Sequence, residues 1–501
     1  MKFKIEIKWI FASFIIIGIG LSFLNFLNFR SLWVDEAMLA LNIVKKPTHE
    51  LLQPLDFNQV APIGFLLIEK LFASLLGSAD WTMRIFPLIS FLTSTFLLFS
   101  VTKKTLKNNS FALFASAFFA TSILMLTYSS EVKQYMIDVV FGLIILLTTV
   151  TYNENGFKNK WWLYALVGML SIWFSNVSVI FLLSSGLYSM WKTHFSIEKK
   201  YLHLVKVLGL WIFSFIIYYY LFIHNHPTKD FMINFWHGAF LPQDILHVEF
   251  YKSLYSKIRI YFGLLGSEKY SLLLMPFFFL GLIFLSKKDK ILLYLLIFPF
   301  ILHLILAYLQ LYPFDRRLIL YLYPTLLIII TSGFYFIYSL LKNNKQKLLY
   351  ILPLFLVANI FLITRRHFPV EREEIKKSIS HINSEFVKGD NIYVYYGAKH
   401  AFNFYKDDLN KDICDSNIIL ASAHRNNWLN YQIPILKIKN SVWILFSHVY
   451  WIKNEDNLNE EEFILNIFKD NGYQIIDEQK HKGSSVYHAI RIMPTPNNIY
   501  I

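Results

Sequence analysis

The 501-residue chain has one cysteine, Cys414, and Asp, Glu, Lys and Arg together make up only 16% of it, against about a quarter in soluble globular proteins. A single thiol excludes a disulfide framework and a thiolate metal cluster. The shortage of charge, set beside 55% hydrophobic and 18% aromatic residues, excludes a disordered, collagen-like or ordinary cytosolic chain. It points to one that crosses a membrane repeatedly. No solenoid period, Gly-rich phosphate loop or nucleic-acid module occurs. The formal charge of +14 comes from Lys clusters between apolar runs, where it reports topology and not a nucleic-acid partner.

Apolar runs long enough to cross a bilayer recur at 9–29, 85–101, 110–127, 135–152, 161–176, 177–191, 207–223, 272–286, 291–309, 318–340 and 348–363. The fold class expected is a polytopic α-helical membrane protein with about eleven spans. Alternate connectors (MKFKIEIK, KKTLKNN, NENGFKNK, KTHFSIEKKYLHLVK, KKDK and KNNKQK) carry 18 Lys, whereas SSEVKQY and LYPFDRR carry little positive charge. The positive-inside rule puts the Lys-rich set and the N-terminus in the cytoplasm. Loops 30–84 and 224–271 and residues 364–501 then lie outside the inner (cytoplasmic) membrane. The apolar stretch 62–76 holds Glu69 and Lys70 at its middle, a costly place for charge in a bilayer, so it reads as a helix on the outer interface. Two crossings joined near Asn176 keep Lys158, Lys160 and Lys192 on one side.

Two domains are expected, residues 1–363 in the membrane and 364–501 outside. In the second, helical patterns (371–386, 401–409, 459–472) alternate with strand patterns (391–396, 417–422, 441–449, 473–479, 486–493). A small α/β layered domain follows.

The polar residues of the outer side are few and clustered. Asp35 and Glu36 are adjacent acids just past the first run. Taken alone they suit a helix N-terminus, and in a site they would supply a general base. Gln59 sits in a polar turn before Ala-Pro, and Arg84 closes the loop. Glu131, Gln134 and Asp138 fall on one helix face, and Asp138 lies inside a span, where an ionisable side chain marks function by default. All ten Arg lie outside in this topology, against 38 Lys in the chain. Arg316 and Arg317 abut a span start, and Arg suits bidentate phosphate recognition better than Lys.

The segments SLWVDEAMLALNI, PLDFNQVAPIGFLLIEKLF, Trp81–Arg84 and SSEVKQYMIDV resemble, in order and spacing, bacterial glycosyltransferase family 39 and the RgtA/B/C/D-like group. These belong to the GT-C superfamily, with the protein O-mannosyltransferases and lipid A aminoarabinose transferases. The resemblance covers roughly residues 9–340. It implies transfer of a sugar from a polyprenyl-phosphate donor to a lipid, glycan or protein acceptor, with inversion, on the outer membrane face. Carried over by position, Asp35 is the catalytic base, followed by Glu36, while Glu131 and Tyr135 match the second-loop pattern. Lys133 stands where Arg is frequent. Arg316 or Arg317 matches the late Arg before Tyr and Pro. With Arg84 and Lys133 they would hold the donor phosphate, and Gln59, Tyr135 and Asp138 would contact substrate. No cofactor is assigned. A divalent cation could sit on Glu131 and Asp138, although no dedicated cage is visible. The competing class is a transporter or lipid flippase, which would show inverted repeats and broken midplane helices.

Overall fold

The computed structural model describes residues 6–155, 160–193, 198–341, 345–366, 368–424, 428–438, 440–450 and 459–492. Lys158 and parts of four Lys-bearing connectors lie outside these residues. The chain divides into two compact units, one of residues 1–28 and 46–369 and one of residues 29–45 and 370–501.

In chain order the helices begin with α1 (Ile7–Leu27), α2 (Val34–Lys45), α3 (Ile63–Leu76), α4 (Ile85–Leu106), α5 (Asn109–Ala120), α6 (Ile123–Tyr128) and α7 (Tyr135–Asn155). They continue with α8 (Trp161–Phe174), α9 (Ser178–Thr193), α10 (Glu198–Phe222), α11 (Lys229–Phe235), α12 (Val248–Gly263), α13 (Glu268–Lys288), α14 (Lys290–Tyr308), α15 (Tyr323–Leu340) and α16 (Lys345–Arg365). Among the described residues, seven helices are long and apolar enough to cross a membrane: α1, α4, α7, α10, α13, α14 and α15. Of the other four expected runs, 110–127, 161–176 and 177–191 form shorter helices, and 348–363 lies within α16. The run at 110–127 breaks at Thr121 and Ser122 into α5 and α6, and the turn at Ser175–Val177 separates α8 from α9. The 62–76 stretch is helical as α3, and two helices that polar residues hid in the sequence, α11 and α12, occupy the 224–271 loop.

Within the first unit, small residues let helices approach closely, as expected where apolar burial alone gives no preference between helix and lipid. A Cβ on Gly281 of α13 would lie 1.9 Å from the Ile329 carbonyl oxygen of α15, and one on Gly333 would lie 1.8 Å from that of Phe277. Gly281→Ala is therefore expected to push α13 from α15 and cost about 1–3 kcal/mol. It should lower the melting temperature of the purified protein, while Gly20→Ala, with nothing within 4 Å of its Cβ, leaves it unchanged.

The second unit contains one mixed five-stranded sheet, ordered β2-β1-β3-β5-β4, with β1 Asn391–Val394, β2 Ile418–Leu420, β3 Ser441–Ser447, β4 Tyr473–His481 and β5 Ser484–Arg491. β2, β1 and β3 run parallel, and β5 and β4 add antiparallel. The helices α17 (Ile375–Glu385), α18 (Lys399–Tyr405), α19 (Gln432–Ile435) and α20 (Glu460–Asp470) complete it. Every strand and helix expected in this region is present. β1 and β3 are almost wholly buried, so they read as continuous apolar runs. Because β1 lies between β2 and β3, the chain changes direction across the sheet at its carboxyl edge, the usual place for function in such sheets.

Candidate functional site

The sequence-predicted residues fall in both units. Asp35 and Glu36 belong to the second, since residues 29–45 cluster with 370–501. Gln59, Arg84, Glu131, Lys133, Tyr135, Asp138, Arg316 and Arg317 belong to the first.

In the second unit the two acids separate by burial. Glu36 is fully buried and takes a two-pronged ion pair from Arg30, with Nη1 to Oε2 at 2.7 Å and Nη2 to Oε1 at 3.1 Å. Such a pair anchors a helix start. Asp35, one residue earlier in the first turn of α2, is half-buried. The N-terminus of α2 is held from elsewhere in the unit. Glu373 Oε2 accepts the Val34 N–H at 2.9 Å, and Glu373 Oε1 lies 2.6 Å from His448 Nδ1. Tyr405 Oη accepts the Leu32 N–H at 2.8 Å, and the Arg372 guanidinium packs 4.6 Å from the Trp33 ring centroid. His448 follows β3 at the carboxyl edge with φ of 52°, a left-handed conformation that a non-glycine residue adopts at a cost of order 1–3 kcal/mol and that is often stored at functional sites. The sequence carried no local sign of Glu373 or His448, which meet α2 only through folding.

In the first unit, three predicted residues meet through polar bonds or one turn of chain. Lys133 Nζ donates to Gln59 Oε1 at 2.7 Å, and both side chains are buried. Gln59 is aimed by the turn before it, where Phe57 and Asn58 have φ of 61° and 54°. Glu131, buried, lies in the same irregular turn as Lys133 before α7, its carbonyl accepting the Lys133 N–H at 2.7 Å. Tyr135, at the start of α7, stacks edge-on with Tyr128. Asp138, one turn further, accepts a 2.6 Å bond from Ser175 Oγ in the α8–α9 turn. Arg84 is fully buried in the short turn Thr82–Arg84, so it does not snorkel as an interface anchor would. Among the described residues no three His, Cys, Asp or Glu cluster as a metal site.

The two late arginines diverge. Arg316 lines a groove of about 450 Å³ between α12 and α13 and donates from Nη2 to the Gly263 carbonyl at 3.2 Å. Arg317 turns away and packs 4.9 Å from the Trp236 ring centroid. Burial, and then the nearby charge of Arg366, hold the Arg316 guanidinium below its ordinary range. Arg259 also lines the groove, ion-paired to Glu268 at 2.9 Å, and Phe262, Leu272 and Met275 give it an apolar wall. Arg259 and Arg366 were not singled out in the sequence, because one lies in the unforeseen α12 and the other in the span-domain connector. The connector bearing Arg316 is fixed by His303, whose Nε2–H donates to the Pro313 carbonyl (3.1 Å) while Nδ1 accepts from Tyr321 Oη (2.8 Å).

Residues 60–219 match the family model described as dolichyl-phosphate-mannose-protein mannosyltransferase. No curated protein matches the sequence. Among solved structures, ArnT from Cupriavidus metallidurans bound to undecaprenyl phosphate superposes with a TM-score of 0.56 at 10% identity, over 96% of this chain and 98% of ArnT. Its apo state gives 0.51 at 8% identity, over 95% and 98%. The chain therefore has an ArnT-like fold.

Proposed function

We propose that the protein is a membrane glycosyltransferase that takes a sugar from a polyprenyl-phosphate carrier and passes it to an acceptor hydroxyl on the outer face of the cytoplasmic membrane. Its N-terminus would be cytoplasmic and its α/β unit outside. The observation that carries the reading is the Arg316 groove. It pairs the half-buried Arg316 guanidinium and the exposed Arg259 guanidinium with an apolar wall, the shape and charge that a phosphate on a long hydrocarbon chain demands. The ArnT structure with undecaprenyl phosphate and the family-model match support it.

In the reaction the acceptor oxygen attacks the anomeric carbon, a new C–O bond forms, and the bond from that carbon to the phosphate oxygen breaks. The acceptor proton passes to Asp35. The electron pair leaves on the polyprenyl phosphate, whose charge Arg316 stabilises, with Lys133 and Arg84 as further positive charge. Attack opposite the leaving group inverts the anomeric centre. Gln59, Tyr135 and Glu131 would orient the sugar, with Asp138 held by Ser175. Glu36 serves here through its ion pair, positioning Asp35 and not reacting. A divalent cation, if used, would be shared by Glu131 and Asp138.

Arg316→Lys keeps the charge and loses the planar fork. It is expected to weaken polyprenyl-phosphate binding about tenfold, while Arg317→Lys changes it less than twofold. Titration of undecaprenyl phosphate into the protein in nanodiscs reads both, and equal losses for the two variants would speak against the groove.

A further inference from the structure

A second cavity lies apart from the arginine groove. Residues of the 51–66 segment, Asn176 in the α8–α9 turn, and the end of α10 with the loop after it enclose about 140 Å³. That is several times the share of one liquid water, about 30 Å³, and below the roughly 300–1,000 Å³ of a site for a drug-sized molecule. A single small ring fits such a space.

The chemistry of the walls is uniform. None of the 19 lining residues is Asp, Glu, Lys or Arg, and burial pushes the His226 imidazole below its ordinary pKa, which favours its neutral form. The polar groups are amides, a phenol and that imidazole. Gln59 Oε1 is taken by Lys133 from behind, and Asn176 Oδ1 accepts from Tyr218 Oη at 2.7 Å. Among the described residues the Asn176 amide nitrogen and the Gln53 and Asn225 side chains make no protein hydrogen bond. His226 Nδ1 accepts from the Thr228 N–H and lies 2.7 Å from Thr228 Oγ1, which leaves Nε2–H as a donor. Tyr220 and Phe222 add aromatic surface. Carboxamides offer a donor and an acceptor side by side and match neighbouring hydroxyls, and aromatic faces suit the C–H face of a pyranose. An anionic ligand would require fixed positive charge, and an aminosugar a carboxylate. The cavity supplies neither.

We propose that this cavity binds one uncharged sugar ring, a neutral hexose or pentose unit in preference to an aminosugar or a uronic acid. As a step in transfer this rests on the glycosyltransferase reading. A carrier-linked sugar and the terminal sugar of a glycan acceptor share the chemistry, and kinetics separate them.

Saturation-transfer NMR on the full-length protein in nanodiscs tests binding without relying on turnover. The probes are methyl glucoside, methyl mannoside, glucosamine and glucuronic acid. Saturation should reach the neutral glycosides at least about fivefold more strongly than the charged sugars. The Asn176→Leu/Asn225→Leu protein should lose about tenfold of the neutral signal. Asn225→Asp, at a solvent-facing position, should shift preference toward glucosamine. Equal or stronger binding of charged sugars, or neutral binding that survives both variants, overturns the proposal. In a transfer assay the same variants should raise KM for the carrier-linked sugar if it is the donor that sits here, or for the acceptor if the acceptor does, and KM unchanged for both counts against the cavity. Failure of the wild-type protein to transfer from any carrier strikes the glycosyltransferase reading instead, and the NMR result then decides the cavity by itself.

Discussion

Replacing Asp35 by Asn is expected to lower kcat for glycosyl transfer by about 10²–10⁴-fold, the range that a positioned general base contributes, with KM changed less than about threefold. The amide has the shape of the carboxylate but cannot take the acceptor proton. The N-terminus of α2 keeps its support, because Glu373 caps the Val34 N–H and the Arg30–Glu36 pair is untouched. Melting temperature should therefore stay within the range of the wild type. The measurement is steady-state transfer by purified protein from a polyprenyl-phosphate sugar, beside a thermal melt. Unchanged kcat would leave Asp35 as an acid that merely favours the helix dipole.

Glu36→Ala is expected to do the reverse. It leaves the Arg30 guanidinium buried without its carboxylate, with side-chain exposures of 2% and 0% in the native pair. Removing one partner of a buried pair costs about 3–5 kcal/mol, chiefly because the remaining charge is stranded. The second unit should then melt earlier and be cut sooner by protease, and activity should fall in step with the folded fraction. The double variant Arg30→Met/Glu36→Leu, which removes both charges, should recover most of the stability. A Glu36→Ala protein with wild-type melting and lost kcat would instead place Glu36 in the chemistry.

These opposite expectations for neighbouring acids mark the limit of what the sequence disclosed. Apolar runs located the long helices, since lipid demands length and hydropathy that local sequence must carry. In the α/β unit the five strands and three of the helices lie where the sequence period put them, while α19 was not expected. The run at 110–127 looked like one span yet forms two shorter helices, because Thr121 and Ser122 interrupt it without a loss of apolar character, whereas the break near Asn176 falls where Lys158, Lys160 and Lys192 put it. The helix α12 was hidden by its cations, of which Lys252 and Arg259 are exposed and Lys257 is buried, donating to the Gly238 carbonyl.

The site was half visible. Residue types and order pointed to Asp35 and to Arg316 or Arg317, because charge near apolar runs is rare, and Lys133 came only from the family resemblance. Which acid is buried, and which arginine faces a groove, depended on contacts distant in the chain. Val34 meets Glu373 across 339 residues, and Gln59 meets Lys133 across 74. Nothing local in either segment encodes such a pairing. The neutral cavity escaped notice for the same reason, since its amides lie in three separate segments and each alone reads as a turn.

The most direct test of the central claim is transfer by the purified wild-type protein, reconstituted in lipid, from a panel of undecaprenyl-phosphate sugars to extracted envelope glycans and lipids, followed by mass spectrometry. The account predicts that at least one carrier loses its sugar, that undecaprenyl phosphate accumulates in equal amount, and that the product has the inverted anomeric configuration. Intact carriers across the panel, together with movement of the labelled carrier between leaflets, would contradict it and favour a flippase.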